Sequence, residues 1–256
     1  MKAIKLIIFS GALILSTGLF GQQRSVMSTY IYNGLTINPA YAGSQNIFSA
    51  VFTNRNQWIN IDGAPSYQSL TAQTTFKHNQ VGMGLNVNRD AIGAHEQFGV
   101  YGSGAYKIRT SLGILSMGLQ GGFDFRKTDY SEIKVLDEDD ESFINPDNRF
   151  NPNFGAGLYF ANRNFFVGAS IPYILNPKIS SSGSEDREAR YYYINGGLVF
   201  DLTANLKLNP SALVRVQERV PLSFDLNLNL IIQEIIYAGL SYRHQDSFSF
   251  MTQLVL

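Results

Sequence analysis

The chain has no cysteine, so it holds no disulfide framework, thiol nucleophile, iron–sulfur cluster or Cys-ligated zinc. Histidine is scarce. His78, His95 and His244 are scattered along 256 residues and make a poor metal set, so no metal or other cofactor is expected. Net charge is lacking too: 20 Lys+Arg stand against 20 Asp+Glu. Without a basic field there is no counterion release from a phosphate backbone, and nucleic acid is not an expected partner. After residue 20 no apolar run is long enough for a transmembrane helix. What abounds is apolar, aromatic and small: 45% hydrophobic residues, 18 Phe, 14 Tyr and 23 Gly. That composition excludes a disordered chain, and one domain is the default at this length.

Lys2 and Lys5 precede an apolar run from Leu6 to Phe20, and the small residues Ser16, Gly18 and Gly21 lead into Gln22-Gln23-Arg24. The run falls short of the roughly 20 apolar residues that a helix needs to cross a bilayer, so it reads as a secretory signal peptide over 1–21. The exported chain then divides into a lead-in over 22–45 and a folded body over 46–256.

In that body apolar residues recur at every second position, the period of strands. Leu222, Phe224, Leu226, Leu228 and Leu230 alternate with Ser223, Asp225, Asn227 and Asn229; Val81 to Asn88 and Leu115 to Arg126 repeat the pattern. About twelve strands are expected, near the ~9–11 residues a tilted strand needs to span a bilayer. They lie at 47–57, 66–76, 80–89, 96–107, 114–127, 152–161, 164–171, 190–202, 205–217, 220–232, 234–243 and 246–256. One face carries Leu, Ile, Val and aromatics; the other carries Asn, Gln, Ser, Asp, Arg and Gly. A soluble sandwich would waste that polarity, whereas a barrel in lipid requires it. The fold class is therefore all-β, an antiparallel outer-membrane β-barrel.

The connections agree. Even-numbered ones are compact, whereas the three longest, Trp58 to Pro65, Thr128 to Asn151 and Pro172 to Ala189, are all odd and leave from one rim. Short turns on the periplasmic side and long loops outside give that pattern in outer-membrane barrels. Strand glycines such as Gly82, Gly84, Gly121, Gly157 and Gly168 fit sharp bends or close backbone approach. The lead-in alternates poorly and carries Gly34, Pro39 and Gly43, so it is expected to plug the lumen or to lie under the periplasmic rim.

Catalytic signals are weak. Serines abound, but His78 falls in a compact turn and His95 and His244 in connections of the opposite rim, so no nucleophile and base converge, and the chain is not expected to be an enzyme. The acidic run Asp137-Glu138-Asp139-Asp140-Glu141 lacks the ordered spacing and glycine of a calcium loop and reads as a solvated loop. The mixed run Glu185 to Arg190 balances it in the next long connection.

Two motifs carry a family resemblance. Asn38-Pro39-Ala40-Tyr41-Ala42-Gly43-Ser44, followed by Asn56-Gln57-Trp58-Ile59-Asn60-Ile61-Asp62-Gly63-Ala64-Pro65, resembles the opening signature of the PorP/SprF family of type IX secretion system membrane proteins from Bacteroidota. Val81-Gly82-Met83-Gly84, Gly155-Ala156-Gly157-Leu158-Tyr159, Val167 to Pro172 and Leu206 to Leu213 are similar to later blocks in the same order. The resemblance implies a non-enzymatic outer-membrane component that assists export or surface anchoring of particular secreted proteins, such as gliding adhesins. Its expected partners are the secretion machinery, the cargo and outer-membrane lipid, with no small-molecule substrate. Asn38, Pro39, Ala40, Tyr41 and Gly43, with Gln57, Trp58, Asp62, Gly63 and Pro65, are the candidate plug or partner contacts. Family members extend a further hairpin beyond Gln253-Leu254-Val255-Leu256, so about fourteen strands are expected for a complete barrel. A porin-like channel for small solutes is the alternative that the polar face supports.

Overall fold

A computed structural model describes residues 28–129, 147–177, 189–218 and 221–255. The expected signal peptide, the acidic run 137–141 and residues 185–188 of the mixed run lie outside them. Among the described residues, thirteen strands form one antiparallel sheet: β1 (Ser49–Asn56), β2 (Ser66–Phe76), β3 (Val81–Ile92), β4 (His95–Arg109), β5 (Ile114–Thr128), β6 (Asp147–Ala161), β7 (Phe165–Ile171), β8 (Tyr191–Leu198), β9 (Phe200–Thr203), β10 (Leu206–Gln217), β11 (Ser223–Ile232), β12 (Ile236–Arg243) and β13 (Ser247–Leu254). Each pairs with its neighbour in sequence, except that β8 and β9 both pair with β10.

The expected strand 190–202 is thus cut at Val199. The register runs on unbroken across the cut, from Ser211 opposite Gly197 to Leu208 opposite Phe200. The interruption therefore faces Asn209 and Pro210. Pro210 has no N–H to donate, and the Leu198 carbonyl accepts instead from Asn209 Nδ2 at 2.7 Å. Strand β6 also starts earlier than the expected 152, despite Pro152. Phe154 O accepts from Ile174 N on the side away from β5, and Pro152 faces the same way, beyond the last pairing with β7. Its missing N–H costs no ladder bond.

Burial in the sheet is inverted relative to a soluble protein. On β11, Asp225, Asn227 and Asn229 are buried while Leu226 and Leu228 are about half exposed. The same holds on β2 for Ser69, Thr71 and Gln73 against Leu70, and on β5 for Ser116, Gln120 and Asp124 against Met117 and Leu119. Apolar side chains face out and polar ones face in, the arrangement of a wall that stands in lipid. Leu119→Arg is accordingly expected to cost about 2–4 kcal/mol, measured by urea unfolding from lipid vesicles.

The sheet is also curled. Asn33 Nδ2 donates to Thr71 Oγ1 of β2 at 2.7 Å, while the ring of the preceding residue, Tyr32, meets Tyr237 of β12 at 6.2 Å between centroids. Nine strand spacings separate β2 from β12 along the sheet, some ~40 Å if it were flat. Two adjacent residues touch both only because the wall wraps around them. The fold is an antiparallel β-barrel of outer-membrane type; among the described residues no pairing joins β1 to β13.

Candidate functional site

The segment inside that wall begins at the first described residue. Ser28–Ile31, Gly34–Thr36 and Pro39–Tyr41 form three 3-10 turns. Asn38 caps the third, its Oδ1 accepting from Ala40 N at 2.9 Å, and Pro39 sits at the first helical position, where its missing N–H costs nothing. Thr36 Oγ1 donates to Asn33 O at 2.8 Å in the turn before. Short turns with proline and glycine cannot join a ladder, so this stretch lies across the strands as packing.

The inner face of the wall receives it at both backbone and side-chain level. Asn38 Nδ2 donates to Leu158 O of β6 at 2.9 Å, and Ser170 Oγ of β7 donates to Ile37 O at 2.6 Å. Gly43, in the left-handed region at φ +66°, donates its N–H to Gln73 Oε1 at 3.0 Å. Its carbonyl accepts from Lys107 Nζ, which also donates to Asn46 Oδ1 at 2.9 Å. Lys107 is 4% exposed, so its ammonium is held entirely by the chain it grips. Tyr41 meets Tyr159 edge to face at 5.3 Å.

Three wall glycines make this fit possible. A Cβ on Gly82 would overlap the Ala42 carbonyl, one on Gly118 the backbone of Pro39 and Ala40, and one on Gly157 the Asn38 side chain. Close backbone approach explains Gly82 and Gly118, and Gly157 leaves room for the Asn38 side chain that caps the third turn.

On the far wall, Tyr30 and Ile37 pack with Tyr191, Tyr193 and Leu213. The Tyr30 hydroxyl accepts from Asn227 Nδ2 at 2.8 Å, and the Tyr32 hydroxyl donates to Asn229 Oδ1 at 3.4 Å. Burial, and then the nearby Asp225 charge, push the Tyr30 phenol well above its ordinary value, so it stays protonated. Asp225 is fully buried between two guanidinium groups. Its Oδ1 accepts from Arg215 Nη2 and Arg243 Nε, both at 3.0 Å, and its Oδ2 from Arg243 Nη2 at 3.1 Å.

A second stretch enters from the other rim. Gln120 Nε2 donates to Pro172 O at 2.7 Å, Asn153 Nδ2 donates to Leu175 O at 3.1 Å, and Tyr173 packs edge to face on Tyr101.

Of the candidate residues, Asn38, Pro39, Ala40, Tyr41 and Gly43 therefore converge on the inner wall. Gln57, Trp58, Asp62, Gly63 and Pro65 do not join them. They form the β1–β2 connection at the other end of β1, closed by Gln57 N–H to Pro65 O at 3.0 Å and braced by Gly93 N–H to Gly63 O at 2.9 Å. Residues that sequence reading missed include Gly118, Lys107, Tyr30 and the Arg215–Asp225–Arg243 cluster. The signal for the cluster was present: Asp225 lies directly opposite Arg243 in register, with opposite charges at inward positions of neighbouring strands.

The three histidines stay apart. His78 lies in the β2–β3 turn, His95 contacts Thr128 Oγ1 at 3.0 Å, and His244 stacks on Phe224 at 4.6 Å.

On the inner segment, the Asn38 side chain makes two hydrogen bonds. Asn38→Ala removes the cap and the bond to Leu158 O, a cost of about 1–3 kcal/mol, expected as faster amide hydrogen exchange across 28–44.

Compared with known proteins, the chain matches the sequence model of the type IX secretion system membrane protein PorP/SprF over residues 19–256. The comparison with curated proteins finds no match. Among solved structures, the crystal structure of the β domain of the Bordetella autotransporter BrkA is similar at 12% identity and a TM-score of 0.37, covering 80% of this chain and 94% of that one.

Proposed function

Since the chain belongs to the PorP/SprF family of type IX secretion system membrane proteins, we propose that it is a non-enzymatic outer-membrane component that holds or hands over particular secreted proteins, gliding adhesins among them. Residues 1–21 are its signal peptide, and the rim with the long connections faces outward. Residues 28–44 are a resident plug.

The observation that supports this reading is the occupied interior. Residues 28–44 and 172–177 engage polar side chains of the inner wall, Thr71, Gln73, Lys107, Gln120, Asn153, Ser170 and Asn227, that a conducting pore would leave to water, which favours work at the rims and the outer wall. Those are surfaces for proteins. Solute conduction, the alternative raised by the polar face, requires the 28–44 segment to leave.

The test is quantitative proteomics of the cell surface and the medium in a strain lacking the gene, against a complemented control. One or a few large proteins should vanish from the surface. Their accumulation inside the cell points to export, and their release into the medium points to anchoring. A surface proteome unchanged except for this barrel overturns the reading.

A further inference from the structure

Four neighbouring strands line a groove of about 650 Å³ in the wall, with 117–119 of β5, 156–158 of β6, 169–171 of β7 and 192–194 of β8. It opens outward. Among the described residues none of 28–44 lines it, although the backbone of Pro39 and Ala40 lies against the inner side of Gly118. The register explains why the surface is recessed there. Ala156 stands between Leu119 and Ile171 on the two adjacent strands, and Ala169 stands between Leu158 and Ile194. The two alanines are diagonal neighbours across β6 and β7, so their low positions join. Beyond Ile171 the chain leaves the wall for the lumen, where Gln120 Nε2 holds Pro172 O at 2.7 Å, and β7 adds no further side chain to fill the recess.

The surroundings say what fills it. Leu119, Leu158 and Ile194 are half or more exposed and belong to the apolar band that meets lipid, so the groove opens into hydrocarbon. Of the outward side chains that line it, only Tyr192 carries a hydroxyl, amide or charge, so water has no partners there. Left void, the recess would forfeit the dispersion contacts of its lining. The lining extends over three strand spacings, ~14 Å, and two residue steps, ~7 Å. A membrane-spanning helix, ~10–12 Å across, is too thick to enter. A single lipid chain is not, and the long dimension is close to the depth of one leaflet, half of a ~30 Å hydrocarbon core. Tyr192 follows directly on the start of β8, at the rim of the 172–190 connection, whereas Met117 lies near the end of β5 at the opposite rim. The groove therefore descends obliquely from an interfacial tyrosine, the residue type that sets its ring in hydrocarbon and its hydroxyl toward head groups.

We infer that this groove is a lipid-binding site that takes one acyl chain of a bilayer lipid, running from Tyr192 toward Met117. The site depends on the wall standing in a membrane and is independent of the proposed export role. Lipid tails outside are as apolar as the lining, so the chain is held by packing and recognised by shape.

The test uses the whole barrel in nanodiscs of phosphatidylethanolamine and phosphatidylglycerol, with a phosphatidylethanolamine that carries a photoreactive diazirine in one acyl chain. After illumination, peptide mapping should find label on 156–158 and 169–171 about tenfold or more above that on Leu226 and Leu240, outward residues of β11 and β12. Even labelling around the wall overturns the site. Labelling weaker at the groove than at Leu226 and Leu240 means that a protein surface covers it, and overturns the site as well.

The second arm fills the groove. A156L/A169L keeps the outer face apolar, so the variant should assemble at the normal level. In native mass spectrometry of barrels released from the same nanodiscs, the parent should keep one phospholipid under activation that strips the rest. The variant should keep it about tenfold less often. Equal retention by the two overturns the site. Should the double variant not assemble, A169L takes its place, and the labelling of the parent decides without either.

Discussion

Gly118→Val is expected to release residues 28–44 from the barrel interior. A Cβ at this position would fall on the backbone of Pro39 and Ala40, which cannot turn aside as the end of a side chain can. The strand cannot yield either, because β5 is in register with β4 along its whole length and with β6 likewise. Overpacking typically costs 1–3 kcal/mol, and a backbone collision belongs at the upper end. Amide protection of 28–44 should therefore fall about a hundredfold in hydrogen exchange. The inner face it uncovers, with Ser69, Thr71, Asn86, Ser103 and Ser116, is polar enough to hydrate, so single-channel steps should appear in planar bilayers. Gly104→Val is the control, since nothing lies within 4 Å of that site; it should leave both readouts unchanged. A Gly118→Val barrel that protects 28–44 as well as the parent does would refute the close fit.

The second large effect is expected at Asp225. Asp225→Leu leaves Arg215 and Arg243, whose side chains are only 9% and 12% exposed, without their shared counter-ion. Breaking a buried ion pair from one side costs about 3–5 kcal/mol, because the stranded charge has no water to turn to. In urea titrations from lipid vesicles this should be the most destabilising single change on the inner face. Replacing the whole cluster, with Arg215→Met and Arg243→Met added, should recover most of the loss, since a well-packed apolar set often equals a buried triad. Equal stability of Asp225→Leu and the parent would mean that the two guanidinium groups find other partners.

Much of the wall is legible in the sequence, because period-two alternation is a direct record of which side meets lipid. The even and odd connections follow from the strands, since in a meander every second link returns to the same rim. Val199 is where alternation misleads: the pattern runs through it, but one proline on the neighbouring strand removes the donor that would have continued the ladder. The lead-in is legible only as a departure from pattern. Pro39 and Gly43 say that Asn38 to Gly43 is no strand, yet where it goes depends on glycines some forty to one hundred and twenty residues later, Gly82, Gly118 and Gly157. Alternation places Gly118 on the inner face, between outward Met117 and Leu119, but nothing local says that the backbone of Pro39 and Ala40 will pass over it. Lys107 is hidden in another way. A lysine near a strand end reads as a solvated rim residue; alternation puts it on the inner face with Ser103 and Ala105, but nothing near it in sequence foretells the Gly43 carbonyl and Asn46 side chain that bury its ammonium.

The lead-in also has a bearing on how the barrel is made. Every strand pairing in the wall is between close neighbours in sequence, whereas Tyr30 and Tyr32 reach partners 197 residues downstream. The segment precedes every strand that it touches, from β2 to β12, and a closed wall would offer it no way in across the hydrogen bonds. The segment is placed to serve as a mandrel: a sheet that winds around it hairpin by hairpin gains contacts at each turn that set the curvature for the next. On this account a chain shortened by those residues loses its gauge as well as its stopper, and its hairpins have to find their radius from the strands alone.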